Sequence, residues 1–373
     1  MDIIGSIQSV KGRKRKHFLG DVMNRCMSES SRATTSIDQT NVCIEALEPR
    51  KMLSTLHRYQ LPEGANPEKV ITGLDGSVYV YEQGSASLAR LRPRASSFAQ
   101  VPINAPLNQH FGLVLSGKGD VYFTVDHGIG AYSPKFNRIT IIPLSTNPND
   151  IAFGPDGNLW FTEPDVNAIG RLTLTRNGQL ANGFQVSQFT VPAAAPAGVA
   201  SITRGPRNDL WFGEDIAGNV GQITLAGGTP VIHEYPLPTR SGHPLGIITG
   251  PDKNVWVTEV YGNKIARVNA VTHAITEFTV PTTTSGTTLP ELNSSAPAWI
   301  TSASNKSLYF VERASGKLAK ITTAGTITEA ILPGGARSRP TSIFASGKSL
   351  FVTESGTDVV DQLSLDLNVT LIF

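Results

Sequence analysis

Two kinds of residue in this chain could do chemistry. Glutamate recurs at Glu82, Glu163, Glu214, Glu259, Glu312 and Glu354, each closing a short apolar run near an aromatic residue. Carboxylates at one repeated position could collect a divalent cation or a cationic ligand, which makes Glu259, Glu312 and Glu354 candidate metal ligands. Histidine is irregular by contrast. His110, His127 and His243 flank these runs without following their period. Imidazole suits proton transfer and metal ligation near neutral pH, so His243 and His110 are the candidate catalytic residues. Each set has a plain architectural reading beside the chemical one. A glutamate repeated six times can be a consensus residue bonded to backbone or to a neighbouring unit, and the histidines can be solvated loop positions.

The elements that must position these residues follow from a repeat. Aromatic-led strands open near Tyr79, Tyr122, Trp160, Trp211, Trp256, Tyr309 and Phe351, at spacings of 43, 38, 51, 45, 53 and 42 residues. GIITGPDKNVWVTEVYGNKIARV (246–268) and IAFGPDGNLWFTEPDVNAIGRL (151–172) are two clear copies. In both, two strands flank a tight turn and a third follows after a polar link. A fourth strand ends in proline, as in VSQFTVP (186–192), ITEFTVP (275–281) and ITEAILP (327–333). Four short antiparallel strands per unit, without a long helical period, predict an all-β, seven-bladed β-propeller over residues 56–373. LHRYQLP (56–62) reads as an outer strand that precedes any inner one, so it is expected to complete the last blade; the tail NVTLIF (368–373) competes for that slot. The Asp-Gly-type turns mark one face, the bottom, and place the glutamates and histidines at the other.

Composition narrows the function. The chain has 32 Lys plus Arg against 30 Asp plus Glu, a balance unlike that of a nucleic-acid clamp. Apolar runs fall short of the ~18–20 residues of a membrane span. Cys26 and Cys43 are the only cysteines, so no thiolate chemistry is expected in the repeats. There is no P-loop, dinucleotide fingerprint or H-E-x-x-H motif. Residues 1–55 differ from the rest, with nine basic and six acidic residues and the run KGRKRK at 11–16. They are expected to form a mostly disordered or partly helical leader. The LEPRKML stretch (47–53) resembles a short LEPR-type motif near the N-termini of predicted exported bacterial proteins. Export is the expectation, and a cytoplasmic location the alternative.

The blade pattern, with GPDGNLWFTE at 154–163, resembles the virginiamycin B (streptogramin B) lyase family. That resemblance implies a seven-bladed propeller with one site on its top face, and Mg²⁺-dependent ring opening of a cyclic depsipeptide by elimination. The family's base is a histidine in a Glu-Pro-His-Gly stretch of the last blade, whose glutamate binds the metal. Here the matching residues are Arg339, Pro340, Thr341 and Ser342. A second family histidine, in the preceding blade, matches Ala298, and a first-blade tyrosine matches Glu68. Glu354, one residue out of register, matches the other metal carboxylate. The expectation is therefore a lyase-like propeller with its catalytic set replaced, binding a small-molecule, peptide, glycan or protein ligand on its top face. It is expected to be a monomer without nucleic acid or a transmembrane span. Two enzymatic alternatives stand beside it. One is a Mg²⁺-dependent carbon–oxygen lyase with a rearranged site around His243 or His110. The other is a lactonase-like metal-dependent hydrolase.

Overall fold

The computed structural model describes residues 56–107, 112–174, 184–193, 196–225, 229–282 and 294–365. The leader, with its basic run, LEPR-type motif and both cysteines, lies outside the described residues, as do His110 and the NVTLIF tail.

The described residues form seven four-stranded antiparallel sheets. Blades 1 to 6 span Pro67–Pro102, Leu113–Pro143, Ile151–Thr190, Val199–Pro236, Pro244–Thr279 and Pro297–Ile331. Blade 7 has three strands, Pro340–Ser346, Ser349–Glu354 and Val359–Ser364, and takes its fourth from Leu56–Gln60. Leu56 pairs with Leu363 and Gln60 with Val359. The early strand thus fills the slot in blade 7, joining distant parts of the chain and covering an edge that would otherwise be open to pairing.

The expected aromatics lie in the second strands and are buried, from Trp160, Trp211 and Trp256 at 0% exposure to Phe351 at 6%. An indole needs a hydrogen-bond partner when buried. Trp160 and Trp256 donate Nε1–H to Asp156 and Asp252 of their own turns, both at 3.0 Å. The third strand must stay thin where it passes the next aromatic. A Cβ on Gly170 would lie 2.2 Å from the Phe161 ring. Seven apolar clusters result, one between each pair of adjacent blades.

A hydroxyl also bridges every blade junction near the channel. Tyr81, Thr124 and Thr162 donate to Thr124 O (3.1 Å), Asn149 O (3.2 Å) and Ala200 O (2.6 Å). Ser201 donates to Leu245 O and Thr258 to Ala298 O. Thr301 Oγ1 accepts from Ala345 N at 3.1 Å, and Thr341 Oγ1 donates to Pro67 O at 2.7 Å. The last of these closes blade 7 onto blade 1.

Candidate functional site

The start of each first strand and the end of each second strand meet on one face, as in the pairs Pro67–Glu82 and Pro340–Glu354. This is the top face. The repeated glutamates are there, fully buried, and their side chains run outward along the blades rather than together. Glu82 accepts from Gln100 at 3.2 Å and Glu163 from Gln188 at 3.0 and 3.1 Å. Gln100 and Gln188 sit on the outermost strands, opposite Ala89 and Gly170 of the third. The same register places Glu234, Glu277, Glu329 and Arg58 outside Glu214, Glu259, Glu312 and Glu354. In blade 2 both members change. Val125 replaces the glutamate, the outer residue is Ile141, and both side chains approach Gly128. This paired change marks the set as architectural.

In blades 4, 5 and 6 the pair is two carboxylates, and blades 5 and 6 show how the charge is divided. Burial, with Glu277 adding and Lys264 opposing, pushes the Glu259 carboxyl up to about 8. Burial likewise raises Glu312 to about 8, reinforced by Glu329 and opposed by Ser315 and Lys317. The outer carboxylates stay ionised because they are well supplied with donors. Glu277 accepts from Thr239 N (2.8 Å) and Thr239 Oγ1 (2.9 Å), and Glu329 accepts from Thr282 N (3.0 Å) and Lys317 Nζ (2.9 Å). Each unit therefore ties one blade to the loop of the blade before it.

Glu354 is engaged as well. Its Oε2 accepts from Arg58 at 2.8 Å and Thr357 at 2.7 Å. Arg339, at the position of a family metal carboxylate, is exposed and carries a positive φ of 43°. A Mg²⁺ does not fit this donor set. Among the described residues, no three His, Cys, Asp or Glu side chains come together as a metal site.

The replaced family positions do converge, where blades 6, 7 and 1 meet. Thr341 is 3% exposed, and its hydroxyl reaches Pro67 O, next to Glu68. Glu68 is 7% exposed. Burial pushes its carboxyl up to about 7, opposed by the charge of Arg313 of blade 6 and a hydrogen bond from Asn66. The next residue, Lys69, lays its ammonium 3.1 Å from the centre of the Trp299 ring, beside Ala298. It also pairs with Asp150 at 3.2 Å. The other Asp150 oxygen accepts from Ile202 N at 3.1 Å. One lysine of blade 1 thus reaches residues at the start of blades 3 and 6, and Asp150 reaches blade 4. Such a span has to cross the channel. A cation between a carboxylate and an aromatic face is a strong, desolvated arrangement, and burial lowers the Lys69 pKa while Asp150 opposes that shift.

The described histidines stand apart from this cluster. His127, after the second strand of blade 2, is exposed and contacts Asp126 through Nδ1 at 2.9 Å. His243 precedes blade 5, with Nδ1 4.0 Å from Asp215 and its ring centroid 4.3 Å from that of Tyr261. The Lys69–Asp150–Trp299 bridge was missed by sequence reasoning. Its members stand at one repeat position, ten residues before Tyr79, Trp160 and Tyr309, but they differ in type, so no recurring residue marks them. The outer-strand partners did have a signal, the third residue of VSQFTVP, ITEFTVP and ITEAILP.

Comparison with known proteins places this geometry. A virginiamycin B lyase from Nocardia farcinica is 28% identical over 146 residues, 39% of this chain and 48% of that protein. The chain thus spans about half the length of this curated relative. The crystal structure of Staphylococcus aureus virginiamycin B lyase superposes with a TM-score of 0.72 at 26% identity, covering 83% of this chain and 98% of the enzyme. A catalytically inactive histidine-to-alanine variant of the S. aureus enzyme, solved with quinupristin, gives 0.71 at 25% identity, with the same coverage. The model of the virginiamycin B lyase family matches residues 54–288, from the start of the propeller through blade 5, and the chain belongs to that family.

Proposed function

We propose that this chain is a ligand-binding member of the virginiamycin B lyase family that does not carry out the family's elimination. The observation that carries this reading is Thr341. It stands where the family's base stands, and its hydroxyl is committed to the blade 7–blade 1 junction at 2.7 Å. A hydroxyl held as a buried donor is no base for an α-proton near neutral pH. The surrounding chemistry points the same way, with Arg339 in place of a metal carboxylate and Glu354 engaged by Arg58. The family match itself ends before Ala298, Arg339 and Thr341.

What remains at the channel mouth suits recognition. Trp299 offers an aromatic face, Lys69 and Arg313 offer cations, and Glu68, near its midpoint at neutral pH, can donate or accept. A peptide, glycan or other small molecule with an anionic and an apolar part would meet those groups. We take the chain to be an exported monomer, on the basic run and the LEPR-type stretch of its first 55 residues. Fractionation of the full chain tests its location, and light scattering its oligomeric state. Among the described residues no helix is long and apolar enough to cross a membrane.

A second reading rests on His243. Its Nδ1 faces Asp215 across 4.0 Å, so a lyase with a displaced base would be built there. One titration separates the two readings. Quinupristin is added to the full chain with Mg²⁺ and analysed by calorimetry and mass spectrometry. The first reading predicts intact quinupristin whether or not it binds. Ring opening that is lost in His243→Ala establishes the second.

A further inference from the structure

The arginines of the propeller are unevenly placed. Residues 56–373 hold 23 basic and 24 acidic residues, yet two adjacent grooves on the side of blades 7, 1 and 2 are lined by no carboxylate. One, of about 670 Å³, includes Arg90, Arg92 and Arg138 in its lining. The other, of about 520 Å³, includes His57, Arg58, Arg92 and Arg94. Arg92 lines both and so joins them into one cationic strip. Arg90 is held to Asp75 at 2.7 Å, and Arg58 to Glu354 and Asp361 at 2.8 and 2.9 Å. Arg92, Arg94 and Arg138 are exposed and enter no ion pair among the described residues. The repeat does not require them. The blade 1 sequence RLRPR (90–94) corresponds to RVNAV in blade 5 and KITTA in blade 6.

Free guanidiniums repeated along a strip fit an extended ligand with anionic groups at intervals, since each planar fork can grip a carboxylate or a sulfate through two hydrogen bonds. Between these cations lie side-chain amides and a hydroxyl, Gln100, Asn104, Asn137, Ser96 and Gln362, which suit sugar hydroxyls. A stacking platform for nucleobases is not offered. Tyr132 is buried with its hydroxyl on Asn137 at 2.9 Å, and Tyr59 packs edge-on against Phe98. We propose that this strip binds an anionic polysaccharide, one bearing carboxylate or sulfate groups.

The full chain is titrated with heparin and with polygalacturonate, at low and at physiological ionic strength. Binding to at least one is expected, weakening as salt rises, and about tenfold weaker in Arg92→Ser/Arg94→Ser/Arg138→Ser. The heparin and polygalacturonate arms separate sulfate from carboxylate recognition. The KGRKRK run is a second polycation, so a leader variant with its five basic residues changed to Ser is measured alongside. Exposed arginine-to-serine changes leave the fold intact, which a thermal melt of each variant checks. The proposal is overturned by no binding to either polymer, or by binding that the leader variant loses and the strip variant keeps. Tighter binding of poly-glutamate or of a DNA oligonucleotide than of both polysaccharides also overturns it.

Discussion

The buried glutamates of the blades and the cluster at the channel mouth lie on the same face of one propeller, yet they are built on opposite principles. The glutamates follow the repeat. Each has a partner at the same register on its outermost strand, and where blade 2 loses the carboxylate it also changes the partner, to Val125 and Ile141. The channel mouth breaks the repeat. Lys69, Asp150 and Trp299 share one repeat position in three blades yet differ in type, and Gly112, Ser201 and Gly246 stand at that position in blades 2, 4 and 5. Groups that follow the symmetry hold the blades together, and groups that break it make the channel mouth chemically unlike the rest of the ring. A set of six carboxylates looks like the chemistry of this protein and is its masonry.

The largest effect that would sharpen this contrast is expected at the cross-channel bridge. Asp150→Ala strands a desolvated ammonium and removes the acceptor of Ile202 N, with a loss of about 3–5 kcal/mol in urea unfolding. Lys69→Met in the same background should recover part of it. A loss no greater than that of a surface mutation would show that the bridge does not span the channel.

Next comes the pH dependence of the repeated pairs. Glu259 and Glu312 have carboxyls raised to about 8 in the folded chain from an ordinary value of 4.5. The native state therefore holds protons that the unfolded state releases. Their contribution is complete below about pH 4.5 and falls as pH rises to about 8, beyond which it is constant. Each pH unit corresponds to about 1.4 kcal/mol per group, so the decline is on the order of a few kcal/mol for each group. Glu259→Gln should flatten it and make the protein more stable than the parent above pH 8. An unchanged slope in that variant would contradict the pairing.

Smaller effects are expected at the seam and in blade 2. Thr341→Val leaves the buried Pro67 carbonyl without its donor and should cost about 1–3 kcal/mol by thermal or urea unfolding. Val125→Glu introduces a carboxylate with no partner and should destabilise by about 1–3 kcal/mol, with part of the loss regained in Val125→Glu/Ile141→Gln. If the single variant is neutral, the outer residue does not decide which side chain the second strand can bury.

Much of this was legible in the sequence, and the reason is local. Strand, turn and aromatic recur within about 45 residues of one another, so the seven blades and the early strand that completes the last one could be read from spacing. The glutamates were equally visible, with both of their readings, because they share the period. What decides between those readings is a register across three strands, which no linear spacing displays. Lys69 and Asp150 are further apart still, 81 residues in sequence, and meet only because the ring closes. Thr341 looks like a lost base when read beside the family. Its place in the ring of junction hydroxyls appears only when blade 7 is set against blade 1.

The most direct test of the account is the reaction itself. The full chain is incubated with a type B streptogramin and Mg²⁺, with and without EDTA, and the products are resolved by liquid chromatography and mass spectrometry. The account predicts that the cyclic depsipeptide is recovered intact in both. A ring-opened product of unchanged mass that disappears with EDTA would contradict it and restore elimination with a displaced base. A product heavier by one water would instead establish a hydrolase.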